Sequence, residues 1–222
     1  MDVKLLDWSF YATLVTLLIP LGFFAAELNR QPRSILWLVI SLFFSLCCDI
    51  GGTVLINLGR SPNVAGTVYW LLGLIPLSMF FNQVIKSTKL TQYLWFINVS
   101  YLLFGLVNFL FIQTKYVNSY NSILHALVIL ILSILYFNKL LRDLPAQQLQ
   151  RLPMFWIISG FFFSYAGKLV IYTVTHYLIH FVQDTLIIVW SFHNFLTIIA
   201  NLLIGYGAWL NHKQLRSTSL SL

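Results

Sequence analysis

Seven long apolar segments recur along this chain, and they constrain its fold more than any other feature of the sequence. A helix needs about 20 consecutive apolar residues to cross the hydrocarbon core of a membrane. The segments cover approximately residues 8–27, 35–57, 65–86, 93–113, 120–141, 153–175 and 185–210, and short connections separate them. The sequence therefore predicts an all-α integral membrane protein, a seven-transmembrane-helix bundle that forms one domain over residues 1–222 and contacts the lipid bilayer.

The composition excludes other classes of protein. Of the 222 residues, 59% are hydrophobic and only 9% are charged, whereas a soluble domain has about 25% charged residues. A membrane β-barrel would show alternating segments of about ten residues, and this chain has continuous apolar runs instead. The net charge of +7 is spread over the connections, which indicates contact with lipid headgroups and not with nucleic acid. Cys47 and Cys48 lie inside an apolar segment, so we expect no disulfide framework.

Lysine and arginine residues are distributed unevenly between the two sets of connections. Three of them fall on the side that carries the N-terminus, namely Lys4, Arg60 and Lys115. Nine fall on the opposite side, namely Arg30, Arg33, Lys86, Lys89, Lys139, Arg142, Arg151, Lys213 and Arg216. Positively charged connections are retained in the cytoplasm, so we expect the N-terminus outside and the C-terminus in the cytoplasm.

Lys168 lies in the middle of a membrane-length apolar stretch, residues 155–184. Small and polar residues recur there at every fourth position and share one side of a helix: Gly160, Ser164, Lys168, Tyr172 and His176. An ammonium group that faces lipid costs about 2.5–3.5 kcal/mol on the most lenient scale, so this stripe should face protein or water. Asp49 is the only acidic residue deep in an apolar segment. It is therefore the candidate to neutralise the charge of Lys168.

Depth along the helices brings several polar side chains to one layer. With a rise of about 1.5 Å per residue, Asp49 and Lys168 lie at nearly the same level in the outer half of the membrane. We expect an Asp49–Lys168 ion pair, with His193 and Asn194 nearby, that forms the floor of a pocket open to the outside. The candidate ligand-binding residues are Asp49, Lys168, His193, Asn194, Tyr172, Trp190, Ser164, Tyr69, Asn108 and His125. The alternative is that these residues only hold the helices together.

Helical periodicity extends this layer along two further segments. In the second segment, Ser41, Ser45 and Asp49 share a face with Gly52 and Thr53. In the seventh, a polar stripe runs inward through Trp190, His193, Asn194, Thr197 and Asn201. Such stripes normally face protein. Pro20 and Pro76 lie near the middle of the first and third segments, and each removes a backbone hydrogen bond, so we expect kinks there.

His176, His180 and Asp184 follow one another at intervals of four residues, which offers a divalent metal two imidazoles and a carboxylate. These ligands would be spread over successive helical turns, a long rise for one ion, so the site is a weak candidate beside an ordinary interfacial loop. We expect no cofactor, since a retinal protein would keep its lysine in the seventh segment. We also find no catalytic arrangement, because Ser191 and His193 point to different faces of a helix, and we expect no enzymatic activity.

The connection over residues 138–152 is the longest, and it contains several basic residues. Together with the inner helix ends, it is the surface we expect to contact a cytoplasmic signalling protein. The alternative is that it only binds anionic lipid headgroups.

The last third of the chain resembles a known group of proteins. Phe155-Trp156-Ile157-x-Ser159-Gly160, Tyr165-x-Gly167 and Trp190-x-x-His193, followed by Asn201 and Trp209, resemble small bacterial seven-helix membrane proteins related to the sensor modules of histidine kinases. The resemblance implies the bacterial inner membrane and a role in sensing. Kinase-fused sensors continue into cytoplasmic domains, so we expect this chain to act as a stand-alone subunit.

Three functions fit these observations. The first is a receptor-like protein that binds a small or lipidic ligand in the outer half and signals to a cytoplasmic partner. The second is a small-molecule or proton-coupled transporter that uses Asp49, Lys168 and His193. The third is a structural membrane subunit. A water path past Asn201 and Asn82 favours transport, and a pocket sealed below Thr197 favours reception.

Overall fold

The computed structural model describes residues 3–61, 63–113, 119–143, 149–181 and 186–219, and all regular structure within them is helical. The α-helices are α1 (Val3–Ala25), α2 (Arg33–Asn57), α3 (Asn63–Leu72), α4 (Leu74–Ile85), α5 (Thr88–Val107), α6 (Ser119–Asp143), α7 (Pro153–Phe181) and α8 (Leu186–Ser219). Two short 3₁₀ turns, Leu28–Arg30 and Leu149–Arg151, precede α2 and α7. A π-helical turn, Asn108–Ile112, extends α5.

Seven segments of the described chain are long and apolar enough to cross a membrane. They are Leu6–Ala25, Arg33–Asn57, Val64–Ile85, Thr88–Ile112, Ser119–Asp143, Pro153–Val174 and Val189–Ser217. The predicted seven-helix architecture is therefore confirmed. Large apolar side chains such as Phe43, Phe96 and Phe111 are exposed, as side chains that contact lipid would be.

The third segment is interrupted, because α3 ends at Leu72 and α4 begins at Leu74. Pro76 explains the break: it has no N–H to bond the carbonyl of Leu72, and its ring crowds that carbonyl. The predicted disturbance at Pro76 thus appears one turn earlier, at Gly73. Helix α1 continues through Pro20 without interruption.

Helices α7 and α8 make the most extensive contact among the described helices, and α8 also packs along α1. Glycines permit the close approach of α7 and α8. A Cβ on Gly160 would lie 2.9 Å from the carbonyl oxygen of Ala200, and one on Gly207 would lie 2.7 Å from that of Pro153. Small residues at a helix interface let two backbones approach within van der Waals contact, which is the main source of helix association in a membrane.

Helix α8 continues to Ser219, beyond the predicted end of the seventh apolar segment near residue 210. Polar contacts hold the extra turns against neighbouring helices. The Asn211 amide donates to Gln31 Oε1 at 2.8 Å, the Gln214 amide donates to the Arg151 carbonyl at 3.0 Å, and Arg216 lies 3.7 Å from Glu27. These partners come from other elements, and a hydropathy pattern along one segment contains no information about them.

Candidate functional site

A cavity of about 60 Å³ lies in the middle of the bundle, between α1, α2, α3, α4, α7 and α8. Most of the side chains around it are polar, and they include one acid and one base. The polar lining residues are Thr13, Ser41, Ser45, Asp49, Tyr69, Ser164, Tyr165, Lys168, Thr197 and Asn201. The apolar lining residues are Leu17, Leu42, Leu77, Phe161, Ala200 and Ile204. We call this space the central cavity.

The central cavity has a charged end and an apolar end. On α2 the lining runs from Asp49 at one end to Ser41 and Leu42 at the other, about 12 Å along the helix. On α7 it runs from Lys168 to Phe161, and on α8 from Thr197 to Ile204. Because consecutive helices run in opposite directions, these series place Asp49, Lys168 and Thr197 at one end and Leu42, Phe161 and Ile204 at the other. The described cavity therefore extends from the charges toward the predicted cytoplasmic side, whereas the sequence predicted a pocket on their outer side.

Asp49 and Lys168 face this cavity from different helices but do not form the predicted direct ion pair. Within the described residues, the acid–base contacts shorter than 4 Å involve Glu27 at the end of α1, not these two residues. Lys168 is only 9% exposed, as its stripe predicts. Its ammonium nitrogen lies 5.3 Å from the centroid of the Tyr165 ring, a cation–π geometry. Both side chains line the central cavity.

A second polar group lies on the other side of Tyr69 and Tyr165. His125 of α6 is fully buried, and its ring stacks on both tyrosines, with centroids 6.2 Å from Tyr69 and 5.4 Å from Tyr165. Tyr165 Oη lies 3.3 Å from His125 Nε2 and 3.4 Å from Tyr69 Oη. Trp70 and Tyr101 pack edge-on against the same imidazole. We call these five residues the histidine cluster, and its two stacked tyrosines form a wall of the central cavity.

Three other predicted site residues form a separate aromatic group. Tyr172 packs edge-on against Trp70 with ring centroids 5.2 Å apart. The His193 ring lies 5.9 Å from Tyr172 and 5.4 Å from Trp190. Tyr172 is buried, but none of Tyr172, Trp190 and His193 lines the central cavity. They pack next to its charged end.

The chain matches no family model, no curated protein and no solved structure.

Two predicted site residues make side-chain hydrogen bonds and do not line the central cavity. The Asn194 amide donates to Ser9 Oγ of α1 at 2.9 Å. The Asn108 amide donates to Gln113 Oε1 at 3.1 Å within the π-helical turn. Of the ten candidate residues, the structure brings four together around the cavity: Asp49, Lys168, Ser164 and Tyr69.

Two sequence-based predictions fall partly or wholly outside the described residues. The side chains of His176 and His180 and the whole of Asp184 lie outside the described residues, so the metal hypothesis stays a prediction. In the connection over 138–152, α6 reaches Asp143 and a 3₁₀ turn covers Leu149–Arg151, while residues 144–148 lie outside.

Sequence reasoning missed Thr13 and Tyr165 as lining residues. Tyr165 lies one turn before Lys168, and its spacing of three residues was a usable indication that both share a face. Thr13 lies on α1, where Ser9, Thr13 and Thr16 form a weak polar stripe. The Asn201 amide donates to the Thr13 carbonyl and to Thr16 Oγ1, both at 3.2 Å, which fixes α8 against this stripe.

The size of the central cavity limits what it can hold. A cavity needs about 10–15 Å³ by this measure to hold one water molecule, so a volume of about 60 Å³ has room for more than one water or for a small polar molecule. Pockets for drug-sized ligands are about 300–1,000 Å³. In the conformation described, the cavity therefore suits a small polar molecule or a few waters, not a lipid.

Proposed function

We propose that this chain is a receptor-like protein of the bacterial inner membrane that binds a small polar ligand in the central cavity. Binding shifts α7 and α8, and a cytoplasmic protein detects the shift at the inner helix ends and the connection over 138–152. The observation that supports the proposal most is that Asp49 and Lys168 face one polar cavity without a direct ion pair. Buried charges are costly and usually functional in a membrane, and an ordinary structural pair would be in contact.

The route from the cavity to the inner surface is short and continuous. Helix α8 lines the cavity with Thr197, Asn201 and Ile204. The same helix is held at its inner end by the contacts of Asn211 and Arg216. A ligand that moves Thr197 or Asn201 therefore pulls on these inner contacts through a rigid helix. The orientation that places this end in the cytoplasm rests on the charge bias of the connections.

Distance measurement between spin labels tests this proposal. In a background with Cys47→Ser and Cys48→Ser, cysteines at the exposed positions Arg142 and Lys213 carry the labels on α6 and α8. The full chain is placed in lipid nanodiscs and titrated with glycine, acetate, ethylammonium and acetamide, while binding is followed by calorimetry. We expect a probe that binds to change the label distance, and Lys168→Met to abolish both effects.

A matched variant controls for the loss of a lysine. Lys89→Met removes an exposed lysine at the start of α5, far from the cavity, and should leave binding and the distance change intact. Binding of a probe without any change in distance would contradict the receptor proposal.

A proton-coupled or small-molecule carrier is the second candidate. The cavity continues inward past Thr197 to Asn201 and Ile204, which is the direction a transport path would take. Uptake of a radiolabelled probe into proteoliposomes distinguishes the two: accumulation above the outside concentration, lost in Asp49→Asn, favours the carrier.

A further inference from the structure

We infer that the ligand of the central cavity is a small zwitterion, with one ammonium and one carboxylate. This inference rests on the proposed ligand-binding function and specifies the chemical class. It combines three observations of the described residues: the two opposite charges, the polar groups between them and the volume of the space.

The charges select a ligand that carries both signs. An ammonium ligand would pair with Asp49 but would bring a like charge toward Lys168. A carboxylate ligand would pair with Lys168 but would bring a like charge toward Asp49. A neutral ligand would leave both charges unpaired in a medium of low dielectric constant. A zwitterion places its ammonium at Asp49 and its carboxylate at Lys168, so that each charge gains an opposite partner and the site remains neutral overall.

The polar wall provides the hydrogen bonds that such a ligand needs. Ser45 lies one turn from Asp49 on α2, and Ser164 lies one turn from Lys168 on α7. Hydroxyl groups donate to a carboxylate and accept from an ammonium, so these two serines suit either end of the ligand. Thr197 and Asn201 add further polar groups from α8. Hydrogen bonds to ionised groups are about twice as strong as those between neutral groups.

The volume sets the upper limit on the ligand. A space of about 60 Å³ is small, so we restrict the candidates to the smallest zwitterions, such as glycine, alanine and β-alanine. At the opposite end, the lining is apolar and includes Leu42, Leu77 and Ile204. We therefore expect discrimination against phenylalanine by size.

Calorimetric titration of the full chain in nanodiscs tests the ligand class. The probes are glycine, alanine and β-alanine as zwitterions, acetate and ethylammonium as single charges, acetamide as the neutral analogue, and phenylalanine as the oversized zwitterion. At least one small zwitterion should bind about tenfold more tightly than acetate, ethylammonium, acetamide and phenylalanine, a difference in binding free energy of about 1.4 kcal/mol. Asp49→Asn and Lys168→Met should each weaken that binding by about tenfold or more.

Ser164→Ala and Ser9→Ala form a matched pair of variants. Both remove one helical serine hydroxyl, but only Ser164 lines the cavity. Ser164→Ala should weaken binding of the zwitterion by about threefold to tenfold, and Ser9→Ala should leave it unchanged.

The possible failures separate the two proposals. Tighter binding of acetate, ethylammonium or acetamide, lost in Lys168→Met or Asp49→Asn, overturns the zwitterion and leaves the receptor proposal standing. Zwitterion binding that neither charge variant alters also overturns the inference, because the ligand would then bind elsewhere. Binding of no probe at all, with the protein folded by thermal melting, overturns both proposals.

Discussion

The central cavity and the histidine cluster share a wall, yet they bury their polar groups in opposite ways. In the histidine cluster, four aromatic rings surround the imidazole of His125, and Tyr165 lies within hydrogen-bond distance of it. In the central cavity, the charges of Asp49 and Lys168 face open space across a gap. A polar group that is enclosed by protein side chains contributes packing and rigidity. Charged groups that face a cavity can still form contacts with a ligand. Burial of a polar residue in this bundle therefore does not by itself identify it as a ligand-binding residue.

The comparison predicts the largest loss of stability for substitution of His125. His125→Ala removes a ring that stacks on Tyr69 and Tyr165, and it leaves a void in a fully packed region. We expect it to lower the free energy of unfolding by about 3 kcal/mol. His125→Phe retains a stacking ring and loses only the contact with the Tyr165 hydroxyl, so it should cost about 1 kcal/mol. Denaturant titration in detergent micelles measures both values, and equal losses for the two variants would contradict the packing role.

The second prediction concerns the helix pair that carries Lys168 and the polar stripe of α8. Gly207→Ala would place a methyl group 2.7 Å from the Pro153 carbonyl oxygen, and that atom belongs to backbone, which cannot rotate away. Overpacking of this kind costs about 1–3 kcal/mol of unfolding free energy. Gly22→Ala is the matched control, because a Cβ there meets nothing within 4 Å, and it should be neutral or slightly stabilising. A similar loss in both variants, by thermal melting, would mean that α7 and α8 are not closely packed at this point.

The smallest expected effect separates a helix contact from a ligand contact. Ser9→Ala removes the acceptor of the Asn194 amide, which is a contact between α1 and α8 outside the cavity. We expect a loss of about 1 kcal/mol in the free energy of unfolding and no change in ligand affinity. Chemical denaturation gives the first value and calorimetric titration the second. A drop in affinity would indicate that Asn194 contributes to ligand binding, as the sequence predicted.

The site was predictable where a single helix carried the information. The stripe of α7 correctly indicated that Ser164 and Lys168 share a buried face, and the face of α2 correctly joined Ser41, Ser45 and Asp49. These inferences succeed because the helical repeat and the rise per residue are fixed by backbone geometry.

The remainder depended on how the helices rotate and approach one another. Depth alone placed His193, Asn194 and His125 with the charges, but their rotation about the helix axes directs them to Tyr172, to Ser9 and to the histidine cluster. The gap that separates Asp49 from Lys168 is likewise a property of two helices and not of either sequence segment.

By itself, the sequence determined that the chain forms seven membrane-length helices, because an apolar surface of this extent and unpaired backbone groups leave no other arrangement in lipid. It also determined that Lys168 is buried, since an ammonium group is costly against acyl chains. Only the tertiary structure decided that Lys168 faces a cavity and the ring of Tyr165, that His125 is enclosed by aromatic rings, and that α8 continues to Ser219. The physical reason is that these outcomes depend on contacts between residues far apart in the chain, whose rotation and spacing are set by packing and not by local periodicity.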